Sequence, residues 1–63
     1  MSLNFWVYAL FYKWATTSMV REAMMFHDCS VDDLKEGVSE KYVTLAQFKE
    51  ITDQTYEETM KAN

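Results

Sequence analysis

A helix-starting phrase that recurs every 14 residues is the feature that most constrains this chain. A hydroxyl residue stands at Thr16, Ser30 and Thr44, and an apolar residue follows each one four positions later. Because a hydroxyl at an N-cap accepts a hydrogen bond from an otherwise unpaired backbone N–H, each copy predicts the start of a short helix. A basic residue and a glutamate complete each copy, and the three endings are Val20-Arg21-Glu22, Leu34-Lys35-Glu36 and Phe48-Lys49-Glu50.

The third copy is the most complete. Gln47 stands three residues after Thr44 and can accept a hydrogen bond from the Thr44 backbone N–H, which predicts a capping box. Val43 before the cap and Phe48 after it can form a hydrophobic staple. Leu45, Phe48 and Ile51 are predicted to share one helical face. The stretch therefore reads as one complete short helix.

The other two copies carry weaker versions of the same signals. Asp33 takes the box position after Ser30, and Cys29 takes the staple position before it. Met19 occupies the box position after Thr16 and cannot form a box. The period is shorter than that of the usual solenoid repeats. A chance similarity among short capped helices is therefore the alternative to a true repeat.

The composition favours helices, and the small size of the chain indicates that its own hydrophobic core is only marginally stable. The sequence has no proline and one glycine, which argues against turn-rich β structure. A domain of 63 residues buries only about 60% of its unfolded surface. The single cysteine cannot form an internal disulfide, and Cys29 with His27 is too small a set for zinc. We predict an all-α fold of three or four short capped helices in a small irregular bundle, completed by packing on a partner.

Patterning and caps also predict the boundaries. Ser2 or Asn4 could cap a first helix of about three turns within residues 3–15. The next helices are predicted over residues 18–27, 31–40 and 44–52, with Gly37 weakening the third by roughly 1 kcal/mol relative to alanine. Tyr56 is expected to fold back on the bundle. Three segments follow: an aromatic anchoring helix (1–15), three helices at the 14-residue repeat (16–56) and a frayed tail (57–63).

The N-terminal segment is the leading candidate for a binding surface. It carries six of the ten aromatic residues, while all ten acidic side chains lie at or after Glu22. Such a helix could be the domain core, a docking element or an interfacial membrane helix. A membrane span needs about 20 apolar residues, and Lys13 interrupts this run too early. The side chains predicted to bind a partner are Phe5, Trp6, Tyr8, Phe11 and Trp14. The alternative docking face is Met19, Met25 and Phe26.

The sequence shows no catalytic, cofactor or metal constellation. His27, Asp28 and Cys29 are neighbours in sequence, which does not place them together in space. The net charge of −4 argues against a nucleic-acid ligand. The residues therefore indicate a protein that acts by contact with another protein, and we expect no enzymatic activity.

The C-terminal half and the aromatic start carry a family resemblance. The matching residues are Val38, Lys41-Tyr42-Val43-Thr44, Gln47-Phe48-Lys49-Glu50-Ile51-Thr52-Asp53 and Tyr56, with Phe5, Trp6 and Tyr12 near the start. They resemble the signature of the XkdX-like family of very small bacteriophage tail proteins. Lys41 and Asp53 stand where that family usually has glycine. The Ser30 unit looks like an additional copy of the repeat.

The resemblance implies a product of a tailed phage or phage-like particle, made in the bacterial host cytoplasm and residing in the virion. We expect a minor structural protein of the tail tip, baseplate or fibre-attachment region, docked on a larger tail protein or on copies of itself. One alternative is a tail assembly factor or adaptor outside the finished virion. Another is a small membrane-active or host-modulating protein, which the lack of flanking basic residues argues against.

Overall fold

The computed structural model describes residues 3–57. Four helices have both ends in this range: α1 (Phe5–Phe11), α2 (Thr17–Met25), α3 (Val31–Ser39) and α4 (Leu45–Thr52). No residue from 3 to 57 belongs to a strand, so the prediction of an all-α fold is confirmed. The predicted cap Ser2 and the predicted frayed tail, except Glu57, lie outside the described residues.

The helix starts follow the hydroxyl repeat. Thr16 Oγ1 accepts from the third N–H of α2 at 3.2 Å, Ser30 Oγ from that of α3 at 3.1 Å, and Thr44 Oγ1 from that of α4 at 3.0 Å. In the opposite direction, Asp33 Oδ2 accepts a hydrogen bond from the Ser30 backbone N–H, and Gln47 Oε1 accepts one from the Thr44 backbone N–H, both at 3.0 Å. Two of the three copies are therefore full capping boxes.

The helix ends repeat as well, at a position that the sequence analysis did not single out. Lys13, His27 and Lys41 have φ of 64°, 65° and 67°, which is the left-handed region. The N–H of each following residue bonds the carbonyl five positions back, at 2.8 Å in all three cases. This is the Schellman arrangement that closes a helix. The chain therefore repeats one unit of helix, Schellman turn and new cap.

These turns correct two predicted boundaries. α1 spans 7 residues, or two turns, instead of about three, because it begins after Asn4 and the left-handed Lys13 stops it. Asn4 Oδ1 accepts from the Trp6 N–H at 2.8 Å, so Asn4 is the cap. α2 ends at Met25 instead of His27, since His27 itself is left-handed.

The core is built from matching positions of the repeat. Val7 and Leu10 of α1 complete it, and Tyr56 packs on Phe48 with ring centroids 5.6 Å apart. Helices α2, α3 and α4 share one core because each presents the same positions of the repeat inward, whereas Val7 and Leu10 of α1 lie at positions that are not buried in the other units. The buried sets at equivalent positions are Val20, Leu34 and Phe48; Ala9, Ala23, Gly37 and Ile51; and Cys29 and Val43.

Gly37 allows a close approach that its helix propensity does not reveal. A Cβ at this position would lie 2.6 Å from Val43 Cγ2 and 2.9 Å from Val7 Cγ1. Both valines are buried, so a Cβ at this position would require them to shift within the packed core. The absence of a side chain at Gly37 therefore lets α1 and the turn after α3 pack directly on α3.

Polar contacts tie together helices that are distant in sequence. Arg21 of α2 donates to the Glu50 carbonyl at 3.1 Å and to Asp53 Oδ2 at 3.4 Å. The Thr17 hydroxyl donates to the Glu50 carboxylate. The Arg21–Asp53 ion pair is largely exposed, so it contributes little beyond orienting α2 against α4.

Candidate docking surface

A run of aromatic rings crosses the surface beside α1. Tyr42 contacts both Tyr8 and Phe11, with ring centroids 5.4 and 4.5 Å apart. Phe11 continues to Tyr12 at 5.0 Å, and Tyr12 stacks on Trp14 at 5.2 Å. We call this set of five rings the aromatic strip; its members, in order of contact, are Tyr8, Tyr42, Phe11, Tyr12 and Trp14.

The helical spacing of α1 places these rings outside. Val7 and Leu10 point into the core, and Ala9 is buried beside them. Only one face of this two-turn helix packs against the core, and Phe11 lies on the other side, where it remains exposed. Tyr12 and Trp14 lie at and beyond the end of α1, and Trp14 is 66% exposed. The strip is thus apolar surface that the four helices leave uncovered.

Tyr12 and Tyr42 are the strip residues that the sequence analysis placed in a family motif but not in a binding surface, and of the two Tyr42 is the one distant from α1 in sequence. It follows the left-handed Lys41, as Trp14 follows the left-handed Lys13. The two positions are 28 residues apart, which is two repeat units. The sequence does show an aromatic residue at equivalent positions of two repeat units. This could have identified Tyr42 as a surface residue only if the left-handed residues that end the helices had been recognised first.

The predicted binding residues divide into two groups. Tyr8, Phe11 and Trp14 lie in the aromatic strip. Phe5 and Trp6 form a separate edge-to-face pair with centroids 5.4 Å apart. Phe5 is 61% exposed, whereas Trp6 is half-buried and packs against the core. Only part of the Trp6 ring is therefore available to a partner.

The alternative docking face around α2 is exposed too. Met25 is 76% exposed and Phe26 is 73% exposed, and Met19 shows a smaller part of its side chain. These residues lie on and directly after α2. No ring contact joins Phe26 to the aromatic strip among the described residues. The described part of the chain therefore presents apolar surface in more than one place.

The two ends of the aromatic strip differ in charge. At the Tyr8–Tyr42 end, the two rings line a shallow cleft with Leu3, Glu36 and Glu40. Glu36 lies on α3 and Glu40 is its C-cap residue four positions later, and neither carboxylate forms an ion pair with another described residue. At the other end, the exposed Lys13 stands between Tyr12 and Trp14. The exposed Lys41 lies between Glu40 and Tyr42, so the first end carries charges of both signs, whereas Lys13 is the charged residue at the other end.

A second, wider groove lies between α2 and α4. Arg21, Lys49 and Asp53 line it together with the apolar Leu45, and Glu57 stands at one edge. The lining carries both signs of charge, so it favours no particular ligand charge.

Cys29 has the burial of a structural residue. Its side chain is 4% exposed at the staple position before Ser30. Burial, with a smaller effect from the nearby Asp33 carboxylate, raises the pKa of the Cys29 thiol to about 11. Because the thiolate is the nucleophilic form, this thiol is unreactive near neutral pH.

Two further structural findings concern metal and membrane. Between residues 3 and 57, no three histidine, cysteine or acidic side chains lie close enough together to hold a metal ion. Within the same range, none of the helices has the length and apolar character that crossing a bilayer requires.

Comparison with known proteins places the chain in a family. It is 56% identical over 50 residues to the phage-like element PBSX protein XkdX of Bacillus subtilis strain 168, covering 79% of this chain and 93% of that protein. It is 50% identical over 50 residues to the uncharacterized protein YqcE of the same strain, with the same coverage of 79% and 93%.

A third relative from that strain is the SPbeta prophage-derived uncharacterized protein YomP. It is 43% identical over 53 residues, which cover 84% of each chain. No family model matches the chain, and no solved structure matches it significantly. The extent of identity to XkdX is decisive: the chain belongs to the XkdX-like family of small phage-element proteins.

Proposed function

We propose that the chain is a minor structural protein of the tail tip, baseplate or fibre-attachment region of a phage or phage-like particle. Its relatives include proteins named for a phage-like element and a prophage. In this role it would be made in the bacterial cytoplasm and carried in the virion. It would act by docking on a larger tail protein, with no catalytic step and no cofactor.

The observation that carries this proposal is the amount of exposed aromatic surface on so small a chain. Four large side chains on or just after α1 are exposed. An aromatic side chain presents roughly 150–250 Å² in total, so the three of them that lie in the aromatic strip together approach the size of patches that mark binding sites. Tryptophan, tyrosine, phenylalanine and methionine are also the residue types enriched at interface centres. The four are Phe5, Phe11, Tyr12 and Trp14.

Phe5 and Trp14 are better sites for testing this proposal than Trp6. Trp6 packs against the core, so an aspartate there would disturb the fold as well as the surface. The side chains of Phe5 and Trp14 are mostly outside, which lets Phe5→Asp and Trp14→Asp alter docking while leaving the helices intact. Ser18→Asp is a matched control, since Ser18 is exposed in the first turn of α2, where an acidic residue is favourable.

The experiment measures incorporation into particles. An induced lysogen encoding this chain would be complemented with each variant, and purified particles would be quantified by mass spectrometry. We expect wild type and Ser18→Asp at a fixed copy number per particle and loss of the Phe5→Asp and Trp14→Asp double variant. Circular dichroism of each purified chain would verify that its helix content is unchanged.

Other outcomes identify other roles. A wild-type chain that is required for tail formation but missing from finished particles would contradict the structural role and indicate an assembly factor. Normal incorporation of the folded double variant would show that docking does not use these aromatic side chains. Binding of the purified chain to liposomes without any association with particles would indicate a membrane-active protein instead.

A further inference from the structure

We propose that two copies of this chain exchange halves through the turn between α2 and α3. In the resulting dimer, α1 and α2 of one copy pack on α3 and α4 of the other. The inference concerns self-association and does not depend on where a particle holds the chain. It rests on how the two halves pack, on the conformation of the turn that joins them, and on the exposed apolar residues beside that turn.

The two halves of the fold hold each other across one interface. α1 packs on α3 and α2 packs on α4, whereas the packing of α1 on α2 and of α3 on α4 lies within a half. The contacts from Arg21 and Thr17 to Glu50 cross the same interface. When two chains exchange identical halves, each of these contacts forms again between chains. A second copy therefore fits the inner face of each half as well as the chain's own other half does.

The turn that joins the halves is short and contains a strained residue. Residues 26–30 connect the end of α2 to the start of α3. His27 has φ of 65°, in the left-handed region, where a residue with a side chain is strained. If the turn becomes helical, His27 takes an ordinary helical φ and the strain is removed. Short hinges under strain favour exchange for this reason.

The sequence around this turn is compatible with one long helix that continues from α2 into α3. The chain contains no proline that would stop such a helix. The 14-residue repeat equals two heptads, so the buried positions that it relates stay nearly in phase along a continuous helix. Met24, His27 and Val31 would then lie on one stripe. Opening the turn therefore extends the helical pattern on both sides instead of interrupting it.

The packing of the helices selects this turn over the other two. Lys13 and Lys41 are left-handed as well, so strain alone does not identify the hinge. Opening the turn at Lys13 or Lys41 would release one short helix by itself, and isolated helices of this length are unstable in water. Opening the turn at His27 releases two helix pairs, and each pair keeps its internal packing.

Exposed apolar side chains beside the hinge give a further reason. Met25 and Phe26 are the most exposed large apolar residues in the range 3–57, and they directly precede His27. In the exchanged dimer, this segment is the place where the two chains cross. The second copy therefore covers apolar surface that the closed monomer leaves in water.

The exchanged dimer also keeps the aromatic strip. Tyr8 and Phe11 of one copy would contact Tyr42 of the other, so the strip is rebuilt twice. The dimer would thus present two strips, joined by a pair of long helices, while Met25 and Phe26 serve the contact between copies.

The first measurement is the monomer–dimer equilibrium after refolding from urea at about 0.01–1 mM chain, followed by sedimentation. Refolding is needed because exchange passes through separated halves. We expect a dimer fraction that rises with concentration. His27→Gly should raise the dissociation constant by about tenfold or more, since glycine relieves the closed turn and weakens the long helix, twice per dimer. His27→Ala should lower it by about threefold or more, because alanine keeps the strain and favours the helix.

Lys13→Gly is the matched control for His27→Gly. It makes the same change at the equivalent left-handed residue of the turn after α1, which stays closed in both monomer and dimer. It should therefore change the dissociation constant by less than about twofold, although it relieves the same strain. Both positions are exposed, so the variants should fold, which circular dichroism would verify.

The decisive measurement locates the contact between α2 and α4. Two chains, Thr17→Cys and Glu50→Cys, are made in a Cys29→Ala background, mixed, refolded at high concentration and treated with a short bismaleimide. Because Thr17 and Glu50 are hydrogen-bonded in the fold, an exchanged dimer should give a cross-linked pair of chains on a denaturing gel. Each variant refolded alone is the control and should give none, since its dimer lacks one of the two thiols at every contact.

Three results would overturn the proposal. One is a chain that remains monomeric at every concentration, both as wild type and as His27→Ala. Another is a dimer without the cross-link between positions 17 and 50, which would mean that whole chains associate through their surfaces. The third is an equal effect of Lys13→Gly and His27→Gly. The His27 variants retain Cys29, so their result stands even if the Cys29→Ala background folds poorly. None of these results would bear on incorporation into particles, so the proposed tail role would be judged separately.

Discussion

The side-chain amide nitrogen of Asn4 lies 3.3 Å from Oδ2 of Asp33, the oxygen that also accepts from the Ser30 backbone N–H at 3.0 Å. One carboxylate oxygen therefore serves the capping box of α3 and a contact to the start of α1. The same Asn4 nitrogen donates to the Asp28 carbonyl at 3.0 Å. The starts of two helices that are distant in sequence are thus fixed to each other by side chains that also cap them.

Asn4→Ala should destabilise the fold by about 1–2 kcal/mol, at the upper part of the range for an N-cap, because it also removes the contacts to Asp28 and Asp33. Thr16→Ala, which removes a single 3.2 Å cap bond without a box, should cost less. Urea unfolding of both variants gives the comparison. A double-mutant cycle of Asn4→Ala with Asp33→Ala should show coupling of about 0.5 kcal/mol or more. Additive effects would mean that the Asn4–Asp33 contact contributes nothing to stability.

Gly37→Ala should destabilise the protein, although alanine is the better helix former by about 1 kcal/mol. The new methyl group would overlap the buried side chains of Val43 and Val7, and overpacking typically costs about 1–3 kcal/mol. The net change expected in thermal or urea unfolding is a loss of stability of up to roughly 2 kcal/mol. Ser39→Ala, at an exposed site of the same helix, is the matched control and should be neutral or slightly stabilising. A stabilised Gly37→Ala variant would show that the two valines can move apart.

Lys41→Gly should stabilise the protein, by about 1 kcal/mol at most. Lys41 has φ of 67°, where a side chain costs about 1–2 kcal/mol and glycine does not, although glycine loses more backbone entropy on folding. Asp53→Gly, at φ of 63°, should help less, because aspartate tolerates this region better and Asp53 also pairs with Arg21. Chemical denaturation at neutral pH measures both. The opposite order, with Asp53→Gly the more stabilising, would show that the ion pair contributes less than the strain.

Stability should fall as pH rises from about 9 to about 11, the interval between the ordinary pKa of a thiol and that of buried Cys29. The folded state holds the Cys29 proton more tightly than the unfolded state, so its contribution is complete below the lower value and is lost as pH rises through the upper one. The loss should approach about 2–3 kcal/mol. Urea unfolding across this interval measures the slope, and Cys29→Ala should remove this part of it. An unchanged slope in Cys29→Ala would assign the pH dependence to other groups.

The starts of three helices were predictable because the determining chemistry is local. Thr16, Ser30 and Thr44 each act on a backbone N–H three residues away, so the hydroxyl alone carries the signal. The ends of α3 and α4 were predicted to within one residue. The ends of α1 and α2 were not, since glycine is the usual marker of a left-handed closing residue and here Lys13 and His27 take that place. That is why α1 and α2 are shorter than their apolar patterns indicate.

The aromatic surface was predictable only in part. The excess of rings in residues 1–15 identified α1 as its centre, but periodicity could not show that Val7 and Leu10 alone supply the core face. Tyr42 joins the strip through the turn after α3, which is a tertiary contact between distant residues. The role of Gly37 was likewise not predictable, because helix propensity describes a residue within its own helix and carries no information about Val7 and Val43, which pack against Gly37 from other segments.

The Schellman turns have a consequence for how the gene can change in length. Each turn and the cap that follows it are satisfied by hydrogen bonds within a few residues, so a whole unit carries its own beginning and end. Deleting or duplicating 14 codons would keep every remaining cap and buried position in phase with its neighbours. An insertion of one or two residues within a helix would rotate the rest of that helix and move polar residues into the core. Duplications or deletions of whole units should therefore be tolerated better than insertions of other lengths within a helix.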